Sequence, residues 1–408
     1  MKTEGPANNQ ISGTANNPTK GRVLVAMSGG VDSSVAAGLL VEQGYEVIGA
    51  TLQVWDYTTC SVDEGHGTCC SSIDVEDARA VADRLNIPFY VLNVESQFKA
   101  AVIDPFIESY LQGNTPLPCV NCNTYLKFGH LIQKMEELGC DYLATGHYAR
   151  IEADENGRAS IFTSADDFKD QTYFLFTIEP ELVPRLIFPI GHLKKPAVRA
   201  KAERMGFETA RKKDSTGICF VGNKGYDRFI EENVDAKQIS KMAGTIRRYP
   251  RGEVMGRHTG FHRFTYGQGK GLGLDHHEKL FVLKTDPQTN TVWIGEEKYL
   301  YQSELRLRDL HLLHPDSAKE IEGQSFDVKI RYSLKGARAK LLREGPNWKL
   351  QFDEPQRAVT PGQAAVLYQN QKLLGGGWIL PAEDLHPIHA VPAIHPSQLI
   401  PASAEVRL

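Results

Sequence analysis

The run RVLVAMSGGVDSS at 22–34 constrains the fold of this chain more than any other feature, because a continuous apolar stretch breaks at two glycines into a helical pattern. Strands buried on both faces read as unbroken apolar runs. After the glycines, Val31, Val35, Leu39 and Leu40 recur at the spacing of one helix face. A glycine turn between strand and helix suits a phosphate chain: the first N–H groups of the helix point outward unpaired, and its dipole favours negative charge. The same alternation continues with a strand at 45–54, a helix from Ser72 to Leu85, a strand at 88–94, helices over about 96–112 and 123–138, and a strand at 141–148 ending in Gly146-His147. It predicts an α/β domain whose parallel sheet is covered on both faces and binds ligand at the carboxyl ends of its strands.

At 408 residues the chain is long enough for two or three domains. The 241–273 stretch is rich in glycine and basic residues, and reads as a separate small module. From about 300 onward, short alternating runs such as SFDVKIRYSL and AAVLYQ predict an antiparallel sheet or small barrel. The expected divisions are a catalytic domain at 21–225, a central domain at 226–298 and a C-terminal barrel at 299–384, with flexible segments at 1–20 and 385–408. A net charge of -4 gives no global attraction to nucleic acid, so such a partner would need a local patch, for which Arg247, Arg248, Arg251, Arg257, Arg263 and Lys270 are the candidates. No apolar run is long enough to cross a bilayer, and the first twenty residues lack the apolar core of a signal peptide. A cytoplasmic protein, with no membrane partner and reduced thiols, is expected.

The loop residues Ser28, Gly29, Gly30, Val31, Asp32 and Ser33 combine backbone access with hydroxyl donors. Asp32 cannot donate to phosphate and fits either Mg²⁺ binding or orientation of the loop. No lysine follows the glycines, which excludes a Walker loop. Cys119-Val-Asn-Cys122 sits in a proline-rich segment at the mouth of a helix, where the dipole favours thiolate, the form needed in a nucleophile or metal ligand. Cys219 lies in the polar segment DSTGICF. Cys60, Cys69 and Cys70 share one loop without a fourth ligand at matching spacing for zinc, and Cys140 reads as core. On residue type alone, His147 is balanced between a structural and a ligand role, and Lys169-Asp170-Gln171 reads as a solvated turn.

Taken together, AMSGGVDSS at 26–34, CN-x-x-x-KF at 122–128, ATGHY at 144–148, KDQTYFL at 169–175, KKDSTGICFVG at 212–222, GQGKGLG at 267–273 and VTPGQAAVLY at 359–368 resemble the bacterial tRNA-specific 2-thiouridylase family. The resemblance runs from about 21 to 380 in the family's motif order. It implies a PP-loop ATP pyrophosphatase domain, of the adenine nucleotide alpha hydrolase-like class, followed by a small central domain and a C-terminal β-barrel. It also implies ATP with Mg²⁺ as cofactors, and as partners a tRNA with a wobble uridine and a sulfur-donor protein, either a persulfide relay or a cysteine desulfurase. The family adenylates the C2 oxygen of that uridine and replaces it with sulfur. By motif match, Ala26, Met27, Ser28, Gly29, Gly30, Val31, Asp32, Ser33, Leu52 and Gly146 would contact ATP, Leu52 standing where members often have Met. Leu117, Pro118 and Cys119 would lie beside the target base, with Cys119 where some members have Asp. His147, Lys169, Asp170, Gln171, Arg331, Tyr332 and Gln363 would contact tRNA. Cys122 matches the nucleophile and Cys219 the persulfide carrier.

Two sulfur routes stay open. In one, Cys219 carries a persulfide and Cys122 resolves it; in the other, Cys119, Cys122 and Cys219 hold a 4Fe-4S cluster with one open iron. A small-molecule PP-loop synthetase is the alternative enzyme, though it leaves the thiols and the basic module unexplained. A nonenzymatic RNA-binding protein is the third reading, and the intact SGGVDS speaks against it.

Overall fold

A computed structural model of the chain describes residues 20–54, 72–214, 217–275, 277–314, 320–333 and 335–382. Cys60, Cys69, Cys70 and nearly all of the two terminal segments expected to be flexible lie outside these residues.

The first half is the expected α/β unit. Strand β1 (Arg22–Ala26) leads through the glycine turn into helix α1 (Val31–Glu42), and β2 (Glu46–Gln53), α2 (Ser72–Leu85) and β3 (Phe89–Asn93) follow. A helical run at 95–111 and a second at 118–137 precede β4 (Tyr142–Thr145). The hairpin β5 (Ala149–Ala153) and β6 (Ala159–Thr163) comes next, then the short β7 (Leu186–Ile187) and a helix at Lys195–Arg204. The parallel sheet has the order β3-β2-β1-β4-β7. Its strands are extended because Val, Ile and Leu pack well on both faces of a pleat; Val23, Leu24 and Val25 are wholly buried. The chain winds outward from β1 to β3 and then returns to β1's other side as β4. This reversal opens a crevice beside the carboxyl end of β1.

The central module pairs β8 (Gly244–Arg248), β9 (Glu253–His258), β10 (Phe281–Asp286) and β11 (Thr291–Gly295) in the order β10-β11-β8-β9. The C-terminal strands β12 (Tyr301–Leu312), β13 (Ser325–Lys329), β14 (Ala337–Glu344), β15 (Asn347–Arg357), β16 (Ala364–Gln369) and β17 (Lys372–Ile379) close into a six-stranded barrel through the β12–β17 pairing.

Two features depart from the sequence reading. The second helical run starts at Pro118, five residues before the expected 123, with proline at the first position, where its missing N–H costs nothing. Cys119 and Cys122 are therefore in the opening turns of the helix itself. The barrel also packs directly on the catalytic domain, an attachment that sequence patterning does not announce, with β6 joining β17 at Phe162 and Lys372. One apolar cluster accordingly holds Leu24, Leu131 and Leu143 of the α/β unit together with Ala364, Val366 and Leu373 of the barrel.

Candidate active site

The glycine turn is shaped by close backbone approach. Gly29 has φ +70°, and a Cβ there would stand 2.1 Å from the carbonyl oxygen of Asp74, so only glycine fits. Gly146, at the end of β4, lies against the start of α1, where a Cβ would come within 2.7 Å of the Ser33 nitrogen. Gly30 caps α1 without a side-chain hydrogen bond, which leaves the N-terminal N–H groups of the helix open to an anion. The hydroxyls bond within the turn. Ser33 Oγ donates to the Gly30 carbonyl (3.1 Å) while accepting from the Ser28 N–H (3.1 Å), and buried Ser34 Oγ donates to the same carbonyl at 2.8 Å. They brace the turn. Ala26 closes β1, and the Met27 and Val31 side chains are in the core, with the Met27 N–H donating to the Ala50 carbonyl at 2.7 Å. Leu52 is half-buried near the carboxyl end of β2.

Asp32 orients the loop. Its carboxylate accepts from Tyr148 Oη at 2.8 Å and from Lys195 Nζ at 3.0 and 2.8 Å. The Lys195 ammonium also meets Asp214 at 2.8 Å, and Asp214 in turn receives Lys169 (2.7 Å) and Arg199 (2.6 Å). Burial alone would push the Asp214 carboxyl up, but its bonds to Lys169 and Lys195 outweigh burial and hold it below the usual range. Lys169 is correspondingly raised, chiefly by its bond to Asp214. Beside this web, Lys212 donates to the Gly29 carbonyl at 3.2 Å and pairs with Asp74 and Asp77. The segment carrying KKDSTGICF is thus tied directly to the phosphate turn. Lys195 and Tyr148 escape the sequence reading; a lysine opening a helix and a tyrosine closing ATGHY carry no signal until the fold brings them to Asp32.

The thiols form a second corner. Cys122 and Cys219, far apart in the chain, pack against one apolar cluster built from Val94, Phe98, Phe106, Leu126, Phe220 and their neighbours. Both are half-buried, whereas Cys119 is exposed and Cys140 is buried in the core as expected, its thiol pushed up to about 11 by burial. Among the described residues, no group of three or more His, Cys, Asp or Glu side chains gathers as a metal site. Nor, among the same residues, does a carboxylate cluster form a Mg²⁺ cage beside the loop, Asp32 being taken by Lys195 and Tyr148.

The residues expected on tRNA divide. Tyr332 is exposed and lies over Phe174, with ring centroids 4.8 Å apart. Lys169 is partly exposed but bound to Asp214. Asp170, only 4% exposed, accepts from Lys329 at 2.9 Å and from Thr172, so its charge is consumed inside the protein. Gln171 accepts from the Tyr148 N–H at 2.9 Å. His147 is 7% exposed, bonded through Nδ1 to Thr145 Oγ1 at 2.7 Å, and burial with the nearby Lys127 holds it neutral. The KDQ segment is thus an internal brace instead of a solvated turn. Arg331 donates to Thr360 Oγ1 (2.9 Å) and to the Ala358 carbonyl, and Gln363 donates to the main chain of Thr115 and Pro116. In the central module, Arg248 is paired with Glu278, Arg247 is half-buried and donates to the Gly252 carbonyl, and Arg263, though exposed, is paired with Glu231; Arg251, Arg257 and Lys270 are the other exposed cations of the expected patch.

Over 367 residues the chain is 46% identical to the tRNA-specific 2-thiouridylase MnmA of Geotalea uraniireducens, covering 89% of this chain and 96% of that protein. This chain belongs to the tRNA-specific 2-thiouridylase family. The enzyme of the same name from Clostridium botulinum is likewise 46% identical over 364 residues, with 88% of this chain and 98% of the relative covered. Family models match all three modules of this chain: a tRNA methyl transferase HUP domain at 21–223, a tRNA methyl transferase PRC-barrel domain at 232–296 and an aminomethyltransferase β-barrel domain at 302–379. Among solved structures, a 4-thiouridine synthetase in complex with RNA and bound ATP matches with 19% identity and a TM-score of 0.31 over 52% of this chain and 50% of its own, a slight likeness.

Proposed function

We infer that this chain is a tRNA-uridine 2-sulfurtransferase, which activates a tRNA uridine with ATP and exchanges its C2 oxygen for sulfur. The observation that carries this reading is the placement of Cys122 and Cys219 on one apolar cluster, with the Cys219 segment tied to the phosphate turn through Lys212 and Asp214. A thiol pair next to a nucleotide loop suits sulfur chemistry. Methyl transfer, the wording of the family-model descriptions, needs neither a thiol pair nor cleavage of ATP.

A uridine C2 carbonyl exchanges its oxygen poorly because oxide is a hopeless leaving group. The C2 oxygen attacks the α-phosphorus of ATP and pyrophosphate departs, its charge received by the N–H groups opening α1. Mg²⁺ would enter on the phosphates and shield their charge. Cys219 carries a persulfide, delivered by a donor protein such as a persulfide relay or cysteine desulfurase, and its outer sulfur attacks C2. AMP leaves with the original oxygen. The Cys122 thiolate then attacks the Cys219 sulfur, the bond to the transferred sulfur breaks, and 2-thiouridine is released. The resulting Cys122–Cys219 disulfide is returned to two thiols by a cellular dithiol. Carried over from the family resemblance, the target is the wobble uridine at position 34. Incubation with ATP, a persulfide donor and unmodified tRNA, followed by nucleoside mass spectrometry, should yield 2-thiouridine with AMP and pyrophosphate; nucleotide cleavage without any thionucleoside would turn the reading toward a small-molecule synthetase.

A further inference from the structure

We infer that Gln363 and Thr285 are positioning residues that clamp the 113–116 loop from two domains and so set the start of the helix carrying Cys119 and Cys122. The inference rests on the sulfurtransferase reading above and gives Gln363 a role other than contact with tRNA.

The loop bridges the end of the helical run 95–111 and Pro118, so any shift in it moves the first turn of the thiol helix. From the barrel side, Gln363 Nε2 donates to the carbonyls of Thr115 (3.0 Å) and Pro116 (3.1 Å), and the Thr115 N–H donates to the Pro361 carbonyl at 2.9 Å. Both hydrogens of the Gln363 amide are therefore accounted for by main chain. Contact is tight enough that a Cβ on Gly362 would stand 2.9 Å from the Thr115 oxygen. From the central module, Thr285 Oγ1 donates to the Gly113 carbonyl at 2.8 Å. Neither clamp is loose on its own domain. Gln363 is locked into the barrel by its main-chain carbonyl, which accepts from the Ile379 N–H at 2.8 Å, and the turn before it is braced by Arg331 on Thr360 and Ala358. Thr285 lies within β10, paired with Val292 of β11.

Two modules with no catalytic thiol of their own thus hold one short loop ahead of Cys119 and Cys122, the central module at Gly113 and the barrel at Thr115 and Pro116. A nucleophile must be held within a fraction of an ångström to act, and a misplacement of about 1 Å can cost on the order of a hundredfold in rate. A residue touching tRNA would act differently, by weakening substrate binding.

The test measures kcat and KM for tRNA thiolation, together with tRNA Kd, in Gln363→Met, Thr285→Val and the double variant; each change removes the donor and keeps the bulk. Gln363→Met should lower kcat by about tenfold to a hundredfold with KM and tRNA Kd nearly unchanged. Thr285→Val should lower kcat in the same direction, and the double variant should cost less than the product of the two, because both act on one loop. The rate of Cys122 alkylation by iodoacetamide in the tRNA-free protein should change in both single variants. A raised KM and Kd with kcat retained would overturn the inference in favour of direct tRNA contact, and so would unchanged kcat with unchanged alkylation. Failure of the unaltered protein to make 2-thiouridine would instead sink the sulfurtransferase reading, while the alkylation rates would still report on the clamp.

Discussion

The phosphate corner and the thiol corner of this molecule are built in opposite ways. The first is nearly contiguous: Ser28 to Ser34 form one turn whose hydroxyls brace their own backbone, and the rest of the site is a set of charges converging on Asp32 and Asp214. The second has no local motif beyond CxxC; it exists because Phe98, Phe106, Leu126 and Phe220 gather two remote segments. Binding a triphosphate needs many N–H groups from one stretch of backbone, so a single turn suffices. Cys122 and Cys219 are remote in the chain, and only tertiary packing brings them onto one cluster. The comparison predicts that charge changes will break the first corner and leave the second chemically intact.

The largest expected effect is therefore at Asp32. Asp32→Ala removes the partner of Lys195 and Tyr148, and pyrophosphate release should fall to background, while Cys219 alkylation stays within about twofold of the parent since packing there is apolar. Loss of both would mean that the two corners are one unit. Next comes tRNA binding by the central module. Replacing Arg251, Arg257 and Lys270 with Gln should weaken tRNA affinity and reduce the salt slope by about one unit for each phosphate no longer neutralised. Changing Arg248 and Arg263, which are already paired with Glu278 and Glu231, should leave that slope much closer to the parent value. Equal effects from both sets would show that pairing does not withhold charge from RNA.

The smallest effect is away from both corners, where the β5–β6 hairpin meets the barrel. Burial raises the Asp154 carboxyl, but N–H donors from Arg158 and Asn156, with Lys372, bring it down to about 2. A carboxyl depressed from an unfolded value of about 3.9 contributes stability that is complete above that pH and is lost as pH falls toward 2. Thermal melting from pH 5 to 2 should show an acid loss that is smaller in Asp154→Asn. A parallel decline in both proteins would show that Asp154 contributes nothing to acid sensitivity.

The same contrast explains what is legible in the sequence. The α/β order, the phosphate turn and the terminal barrel follow from periodicity and glycine placement, which are local properties. The start of the thiol helix is not legible, because a TPLP run reads as loop until proline is seen to occupy the first helical turn. Asp170 reads as solvated, since nothing near it in sequence announces Lys329. Lys195 is invisible for the same reason, and the joining of β6 to β17 is a pairing between distant strands that no window contains. Cys122 and Cys219 stand out by family resemblance; spacing alone yields one CxxC and one lone thiol.

The central claim, that activation and sulfur delivery are separate acts of two corners, is tested most directly by a single-turnover reaction of Cys219→Ser with ATP, unmodified tRNA and a persulfide donor. Pyrophosphate should form at close to the parental rate with no 2-thiouridine, whereas Cys119→Ala run alongside should make the thionucleoside. Thionucleoside from Cys219→Ser, or loss of pyrophosphate formation in that variant, would contradict the claim.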